Sequence, residues 1–121
     1  MKRAILVLAL VLAVFSLSAA AGNIEGVYNC KGVNPGTGTT YQGSVTITRN
    51  SAVYAVVWTV GSQVYMGVGL LQGDQFSVGY TDAAKTMVGI VIYKVNGATL
   101  NGVWAVQGGS QTGTEVLTKK H

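Results

Sequence analysis

The chain has 121 residues, with eight Lys or Arg, four Asp or Glu and one His, and a formal net charge of +4 at pH 7. Lys2 and Arg3 belong to a targeting segment, and the six basic and four acidic residues that remain give +2. The six basic residues are scattered, whereas nucleic-acid binding needs a basic stripe or patch. We therefore expect no nucleic-acid partner.

The N-terminal segment has the pattern of a cleavable signal peptide. Lys2 and Arg3 precede an apolar run at residues 4–17, and small residues at 18–21 offer a cleavage site after Ala21. The run is shorter than the roughly 20 residues that a membrane span needs. We expect residues 1–21 to be a signal peptide and residues 22–121 to be one exported domain, periplasmic or secreted, with no transmembrane span.

The residue types that carry catalysis are few. His121 is the only histidine and stands at the end of the sequence, where chains usually fray, so we expect no histidine-based catalysis or metal site. Cys30 is the only cysteine, which excludes an intramolecular disulfide and leaves either a buried free thiol or an intermolecular bridge. No cofactor and no metal ligand are predicted.

Alternating apolar residues and turn signals predict eight short strands. They lie near residues 24–31, 40–49, 52–60, 63–71, 75–80, 87–95, 98–107 and 111–119. Eight sequential antiparallel strands with short connections favour an up-and-down meander that closes into a small barrel, because closure removes exposed edges. A flattened β-sandwich is the alternative.

Two-residue turns fix the register of neighbouring strands. The predicted turns are Asn50-Ser51, Gly61-Ser62, Gly73-Asp74 and Asn96-Gly97. They place the aromatic rings on one inward face and set glycines opposite rings, as Gly43 with Trp58, Gly69 with Tyr54, Gly67 with Tyr80, and Gly89 with Trp104. Such glycines make room for rings and let strands coil tightly.

The inward face supplies the candidate ligand-binding residues, which are Tyr41, Trp58, Tyr65, Tyr80, Tyr93, Trp104 and Glu115. Their rings either fill the barrel or line a pocket at its mouth for a small apolar or ring-bearing ligand. Glu115 faces inward, opposite Trp104, if the last turn is Gly109-Ser110, and outward if that turn has three residues. A buried carboxylate would need tyrosine hydroxyls or a ligand as partners.

The outward face carries two apolar groups. One comprises Val53, Ala55, Val57, Val64, Met66, Val68 and Leu70, and the other Val88, Ile90, Ile92, Val103 and Ala105. Contiguous apolar patches are uncommon on soluble monomers and indicate a homo-oligomer or a partner surface. Strand propensity of β-branched residues is the competing explanation.

Several motifs are similar to those of a known family: Gly26-Val27-Tyr28, Cys30-x-Gly32-x-Asn34-Pro35, Tyr41-x-Gly43-x-Val45, Tyr54-x-Val56-x-Trp58 and Leu100-x-Gly102-x-Trp104 with Gly113-Thr114-Glu115. The chain resembles small bacterial exported β-proteins, mostly uncharacterised and sometimes labelled fibronectin-binding proteins. That resemblance implies adhesion without a defined binding residue. A looser similarity to avidin- and lipocalin-like barrels implies a barrel, but the polar contacts that biotin needs are missing.

These observations together predict a non-enzymatic, exported binding module. Its partner is either a protein at the cell surface or a small ligand in the barrel mouth. The alternatives are a hydrolase or isomerase that uses Glu115 or Glu25, and a structural envelope protein that oligomerises through its outer apolar strands.

Overall fold

Eight antiparallel strands and no helix make up residues 22–121, which are the part of the chain that the computed structural model describes. The strands are β1 (Gly26–Val33), β2 (Thr40–Asn50), β3 (Val53–Val60), β4 (Gln63–Gln72), β5 (Gln75–Asp82), β6 (Val88–Asn96), β7 (Thr99–Val106) and β8 (Gly113–Lys119). The predicted signal peptide lies outside the described residues. Within them, no helix has the length and apolar character to cross a membrane.

The strands form a closed barrel in sequence order. Each strand pairs with the next, and β1 also pairs with β8, from Tyr28 opposite Lys119 to Val33 opposite Thr114. This pairing confirms the up-and-down barrel and makes the sandwich alternative wrong. Every strand has two partners, so the ladder has no free edge.

Burial alternates along the strands as a half-buried sheet requires. In β6, for example, Gly89, Val91, Tyr93 and Val95 are buried and the residues between them are exposed. The inward residues form one hydrophobic core that contains every predicted ring as a buried or packed member.

Two predicted turns have the expected register. Gly61 and Ser62 join β3 to β4 with Trp58 opposite Tyr65, and Gly73 and Asp74 join β4 to β5. Gly61 and Gly73 both have positive φ, at 60° and 59°, which glycine adopts without steric cost.

The other two predicted turns are wrong by one position. The β2–β3 turn is Ser51-Ala52, so Arg49 pairs with Tyr54. The β6–β7 turn is Gly97-Ala98. Ser51 and Gly97 have the positive φ, 60° in both, whereas Ala52 and Ala98 do not. A turn with a single positive φ at its first central position is type II′, which favours glycine there.

This correction moves each pairing by two residues, so the same side chains still face inward. It does change the cross-strand neighbours. Trp58 lies opposite Val45 rather than Gly43, and Trp104 lies opposite Val91 rather than Gly89.

Aromatic rings nevertheless lie over inward glycines, as expected in general form. The observed pairs are Tyr41 over Gly32, Phe76 over Gly69, Tyr80 over Gly89, Tyr93 over Gly102 and Trp104 over Gly113. A methyl group on Gly102 would lie 2.7 Å from the Tyr93 ring. These rings therefore occupy the space that a side chain would fill at each of the glycines.

The barrel is packed at one end and open at the other. At the packed end, Ile24 is buried ahead of β1, and its carbonyl accepts a hydrogen bond of 2.6 Å from the Tyr28 hydroxyl. Phe76, Leu100 and Leu117 fill the interior beside it. The opposite end, where β1 ends and β8 begins, contains the cavity described below.

The two outward apolar groups join into one surface in the folded barrel. Cross-strand pairs run from Ala55 to Val68, from Val68 to Gly79, and from Gly79 to Ile90, so Gly79 links the groups, and the polar Ser77 and Thr81 lie on either side of it on β5. Val68 is 59% exposed. We call this surface of β3–β7 the outer apolar face.

Candidate functional site

A cavity of about 450 Å³ opens at the end of the barrel where β8 begins. Five rings and one carboxylate line it, together with apolar side chains and the start of the β1–β2 loop: Tyr41, Trp58, Tyr65, Tyr80, Trp104 and Glu115. Its volume lies within the range of roughly 300–1,000 Å³ that is typical of small-molecule sites.

The structure brings six of the seven predicted site residues to this cavity. Tyr93 does not line it, because its side chain is fully buried below the floor and stacks on Phe76 with ring centroids 6.1 Å apart. Tyr93 still belongs to the site, because its hydroxyl donates a hydrogen bond to Glu115. The side chains that the sequence did not single out, such as Val60 and Val106, are inward positions at strand ends.

Glu115 points inward and is only 5% exposed. The connection between β7 and β8 spans residues 107–112 rather than two residues, and it places Glu115 opposite Gly102 instead of Trp104. Gly113 is the residue that faces Trp104. The inward alternative is therefore correct, but its predicted neighbour is wrong.

Three neutral groups donate hydrogen bonds to the Glu115 carboxylate. The Tyr41 hydroxyl lies 2.8 Å from Oε1, the Trp58 indole nitrogen lies 3.0 Å from Oε2, and the Tyr93 hydroxyl also donates to Oε2. The only ion pair among residues 22–121 is between Lys94 and Asp74, both exposed at the surface. The buried acid thus has hydrogen-bond donors but no cationic side chain beside it.

The position of Glu115 between two glycines makes these contacts possible. Gly32 on β1 and Gly102 on β7 flank it directly in the ladder. Tyr41 is the neighbour of Gly32, and Tyr93 is the neighbour of Gly102. Each tyrosine side chain passes over the glycine of the strand between it and β8, so its hydroxyl reaches Glu115. We call these five residues the carboxylate row.

Burial and the Glu115 carboxylate both hold the tyrosines of the site in the neutral form. Burial is the larger cause and raises the pKa of Tyr41 and of Tyr93 far above the usual value, with Glu115 adding to the effect. The same two causes raise the pKa of Tyr80 to about 12. These hydroxyls therefore remain protonated donors throughout the physiological pH range.

Cys30 is a buried free thiol, as one of the two sequence alternatives expected. Burial, and after it the nearby Glu115, raises the pKa of this thiol. Because the thiolate is the reactive form, Cys30 is unsuited to nucleophilic or redox chemistry in the folded barrel.

Glu25, the other acid considered for catalysis, lies at the packed end. Its Oε1 accepts a hydrogen bond of 2.8 Å from the backbone nitrogen of Arg49. It precedes β1, whereas Glu115 pairs with Gly32 near the far end of that strand. Seven residues of strand separate the two levels by roughly 20 Å, which is too far for a joint acid–base mechanism.

The rings of the cavity meet at steep angles rather than stacking. Tyr65 and Tyr80 are nearly perpendicular at 83°, with centroids 6.4 Å apart, and Tyr41 meets Trp104 at 68°. Trp58 and Tyr80 are tilted by 51°. Rings arranged in this way present both faces and edges to the cavity. Residues 22–121 contain no cluster of three or more potential metal-ligating acids, histidines or cysteines.

Comparisons with known proteins support the architecture. The sequence matches no protein-family model and no curated protein. Among solved structures, a redesigned beta barrel is similar with a TM-score of 0.71 and 15% identity, covering 81% of this chain and 92% of that one. A de novo designed fluorescence-activating beta barrel has a TM-score of 0.61 and 9% identity, with 79% and 93% covered. At these identities the likeness shows the fold alone, a closed eight-stranded antiparallel barrel.

Proposed function

We propose that this chain is an exported, non-enzymatic β-barrel that binds a small ring-bearing ligand in the cavity at its open end. The observation that carries the proposal is a cavity of about 450 Å³ walled by five aromatic side chains above a buried carboxylate. Aromatic walls with a few fixed polar groups are the usual composition of a small-molecule site.

The contrast between the two ends of the barrel supports this interpretation. Protein interiors are normally packed to crystal-like density with few voids larger than a water molecule. At the packed end Phe76, Leu100 and Leu117 are fully buried, and the cleft of about 350 Å³ at that end is lined mostly by exposed residues such as Asn23 and Arg49. The open end has large rings that surround space instead of filling it. An unfilled interior lowers stability, and such stability losses concentrate at functional sites.

A cavity-filling substitution tests the proposal. Val60 lines the cavity, so Val60→Phe is expected to weaken binding of the neutral fluorescent probe Prodan at least tenfold, because the added ring occupies the mouth. The emission of Prodan shifts to the blue in an apolar site, and a titration followed by this shift gives the Kd. Val57→Phe is the matched control, since Val57 lies on the same strand but faces outward.

Equal binding of Prodan by the native chain and by Val60→Phe would contradict the proposal, because the probe would then lie elsewhere. Native mass spectrometry of protein purified from its own envelope is the complementary measurement. It would report any small molecule that the cavity retains.

The geometry favours binding over hydrolysis or isomerisation. Glu115 is the only acid among the lining residues, and both of its oxygens already accept hydrogen bonds. Glu25 lies at the opposite end. Asp82, at the open end of β5, is not among the lining residues, and its carboxylate accepts hydrogen bonds from Thr86 and Met87. General acid–base catalysis would require proton transfer by a carboxylate that is free to reach the substrate.

The outer apolar face favours a second role, contact with another protein chain, and we propose self-association as its simplest form. Size-exclusion chromatography with light scattering is expected to give a mass above that of one chain. Val68→Lys and Ile90→Lys should each return the protein to a monomer. Both residues lie on the outer apolar face and are more than half exposed, so each substitution places a charge where the second chain would pack. A native chain that remains monomeric at high concentration would contradict this proposal and leave the cavity proposal untouched.

A further inference from the structure

We infer that the cavity selects an organic cation, a ring-bearing or methylated ammonium group that lies between the aromatic walls and the Glu115 carboxylate. This inference rests on the proposed function and adds the charge of the ligand to it. Two independent features of the site carry it: an acid without a positive partner, and rings whose faces surround the same space.

The first feature is the charge of the site. Tyr41, Trp58 and Tyr93 are neutral donors, so their hydrogen bonds stabilise the carboxylate without cancelling its charge. No lining residue of the cavity is Lys, Arg or His. Lys85, in the loop next to the mouth, is exposed and is not among the lining residues. Removing a charge from water is costly unless an opposite charge accompanies it, and a bound cation would supply that charge.

The second feature is the arrangement of the rings. The face of an aromatic ring carries negative electrostatic potential and attracts a cation, most strongly for tryptophan and when water is excluded. The ring centroids of Trp58 and Tyr80 lie 5.3 Å apart, and the planes of these two rings are tilted by 51°. The Tyr65 ring is almost perpendicular to the Tyr80 ring. Such tilted walls can surround a compact ammonium group, whereas parallel stacked rings would close the space between them.

The Glu115 carboxylate and the aromatic rings also border the same part of the cavity. The Trp58 indole nitrogen lies 3.0 Å from the Glu115 carboxylate, so one side chain is both a wall of the cavity and a hydrogen-bond donor to the acid. Tyr41 has the same double position and meets Trp104 edge to face. A cation in the cavity would therefore be within the influence of both the carboxylate and the rings.

The test compares a cation with its neutral isostere. Benzyltrimethylammonium and 2,2-dimethylpropylbenzene have nearly the same shape, and the charge of the first does not depend on pH. Each is titrated against the native chain with Prodan bound. We expect the cation to bind at least about tenfold more tightly than the isostere, as attraction by the desolvated rings and the acid predicts.

Removal of the charge of Glu115 should weaken this preference. In Glu115→Gln the ratio of the two Kd values is expected to fall to within about threefold, because the charge that attracts the cation more than the isostere is gone. Asp74→Asn is the matched control, because it removes one negative charge from an exposed turn at the packed end and should keep the native ratio. If Glu115→Gln fails to fold, the ratio measured on the native chain still decides.

The outcomes separate this inference from the proposed function. Equal or tighter binding of the neutral isostere by the native chain would overturn cation selection, as would failure of the cation to displace bound Prodan, and both would leave a cavity that binds neutral ligands. An unchanged ratio in Glu115→Gln would also overturn it. Prodan binding that Val60→Phe leaves unaffected would instead remove the proposed function itself.

Discussion

Replacement of Glu115 by leucine is expected to lower the free energy of unfolding by about 3 kcal/mol, while replacement by glutamine changes it by less than about 1 kcal/mol. Leucine leaves the Tyr41, Trp58 and Tyr93 donors without their acceptor. The Tyr93 hydroxyl suffers most, because that residue is 0% exposed and is not among those lining the cavity. Urea unfolding followed by far-ultraviolet circular dichroism gives the values without relying on tryptophan fluorescence.

Glutamine retains the necessary groups for all three partners. Its carbonyl can accept from two donors and its amide can donate to the oxygen of the third, while the cost of burying a charge disappears. Asp74→Asn is again the control and should change stability by no more than about 0.5 kcal/mol, as is usual at the surface. A leucine variant as stable as the native chain would show that the hydrogen bonds to Glu115 do not stabilise the barrel.

The second large effect is expected at Gly102. Gly102→Ala should lower the free energy of unfolding by about 2–3 kcal/mol, because the new methyl group would lie 2.7 Å from the buried Tyr93 ring and force an overpacked core to shift. The displaced Tyr93 would also lose its hydrogen bond to Glu115. The same urea titration measures the effect.

Gly79→Ala is the matched control for that substitution. Gly79 is an exposed, outward-facing glycine of β5 with no atom within 4 Å of the position that a methyl group would take. Since alanine restricts the unfolded chain more than glycine does, this variant should be as stable as the native chain or more stable by up to about 1 kcal/mol. Equal losses at positions 79 and 102 would show that backbone conformation, rather than the space under the ring, explains the glycine.

The sequence predicted the faces of the strands more reliably than their neighbours, for a physical reason. Side chains alternate with a period of two, so a pairing that slips by two residues leaves every ring inside. The β2–β3 turn is Ser51-Ala52 instead of Asn50-Ser51, and the β6–β7 turn is Gly97-Ala98 instead of Asn96-Gly97. Each change moves the turn by one position and the strand pairing by two residues. Which pair forms the turn depends on where the positive φ falls, and the composition of the turn alone did not decide it.

The candidate site was predictable in its residues but not in its construction. Inward alternation was enough to place Trp58 and Tyr65 inside, but for Glu115 it left an inward and an outward orientation open. The carboxylate row depends on Gly32 and Gly102 lying on either side of Glu115, which follows only from closure of β8 onto β1 and from the long β7–β8 connection. Whether the rings fill or surround the interior depends on strand tilt and summed side-chain volumes, which no local pattern encodes.

Closure of the barrel also decides when the site comes into existence. Glu115 is supplied by the last strand, and Tyr41, with which it bonds, is 74 residues earlier in the chain. A chain during synthesis, or one cut ahead of β8, contains the rings but lacks the acid that they surround. Contacts of such long sequence separation form late and slowly, so acquisition of the site should coincide with the final step of folding. A bound ligand would accordingly stabilise the pairing of the first strand with the last and slow the separation of these two strands.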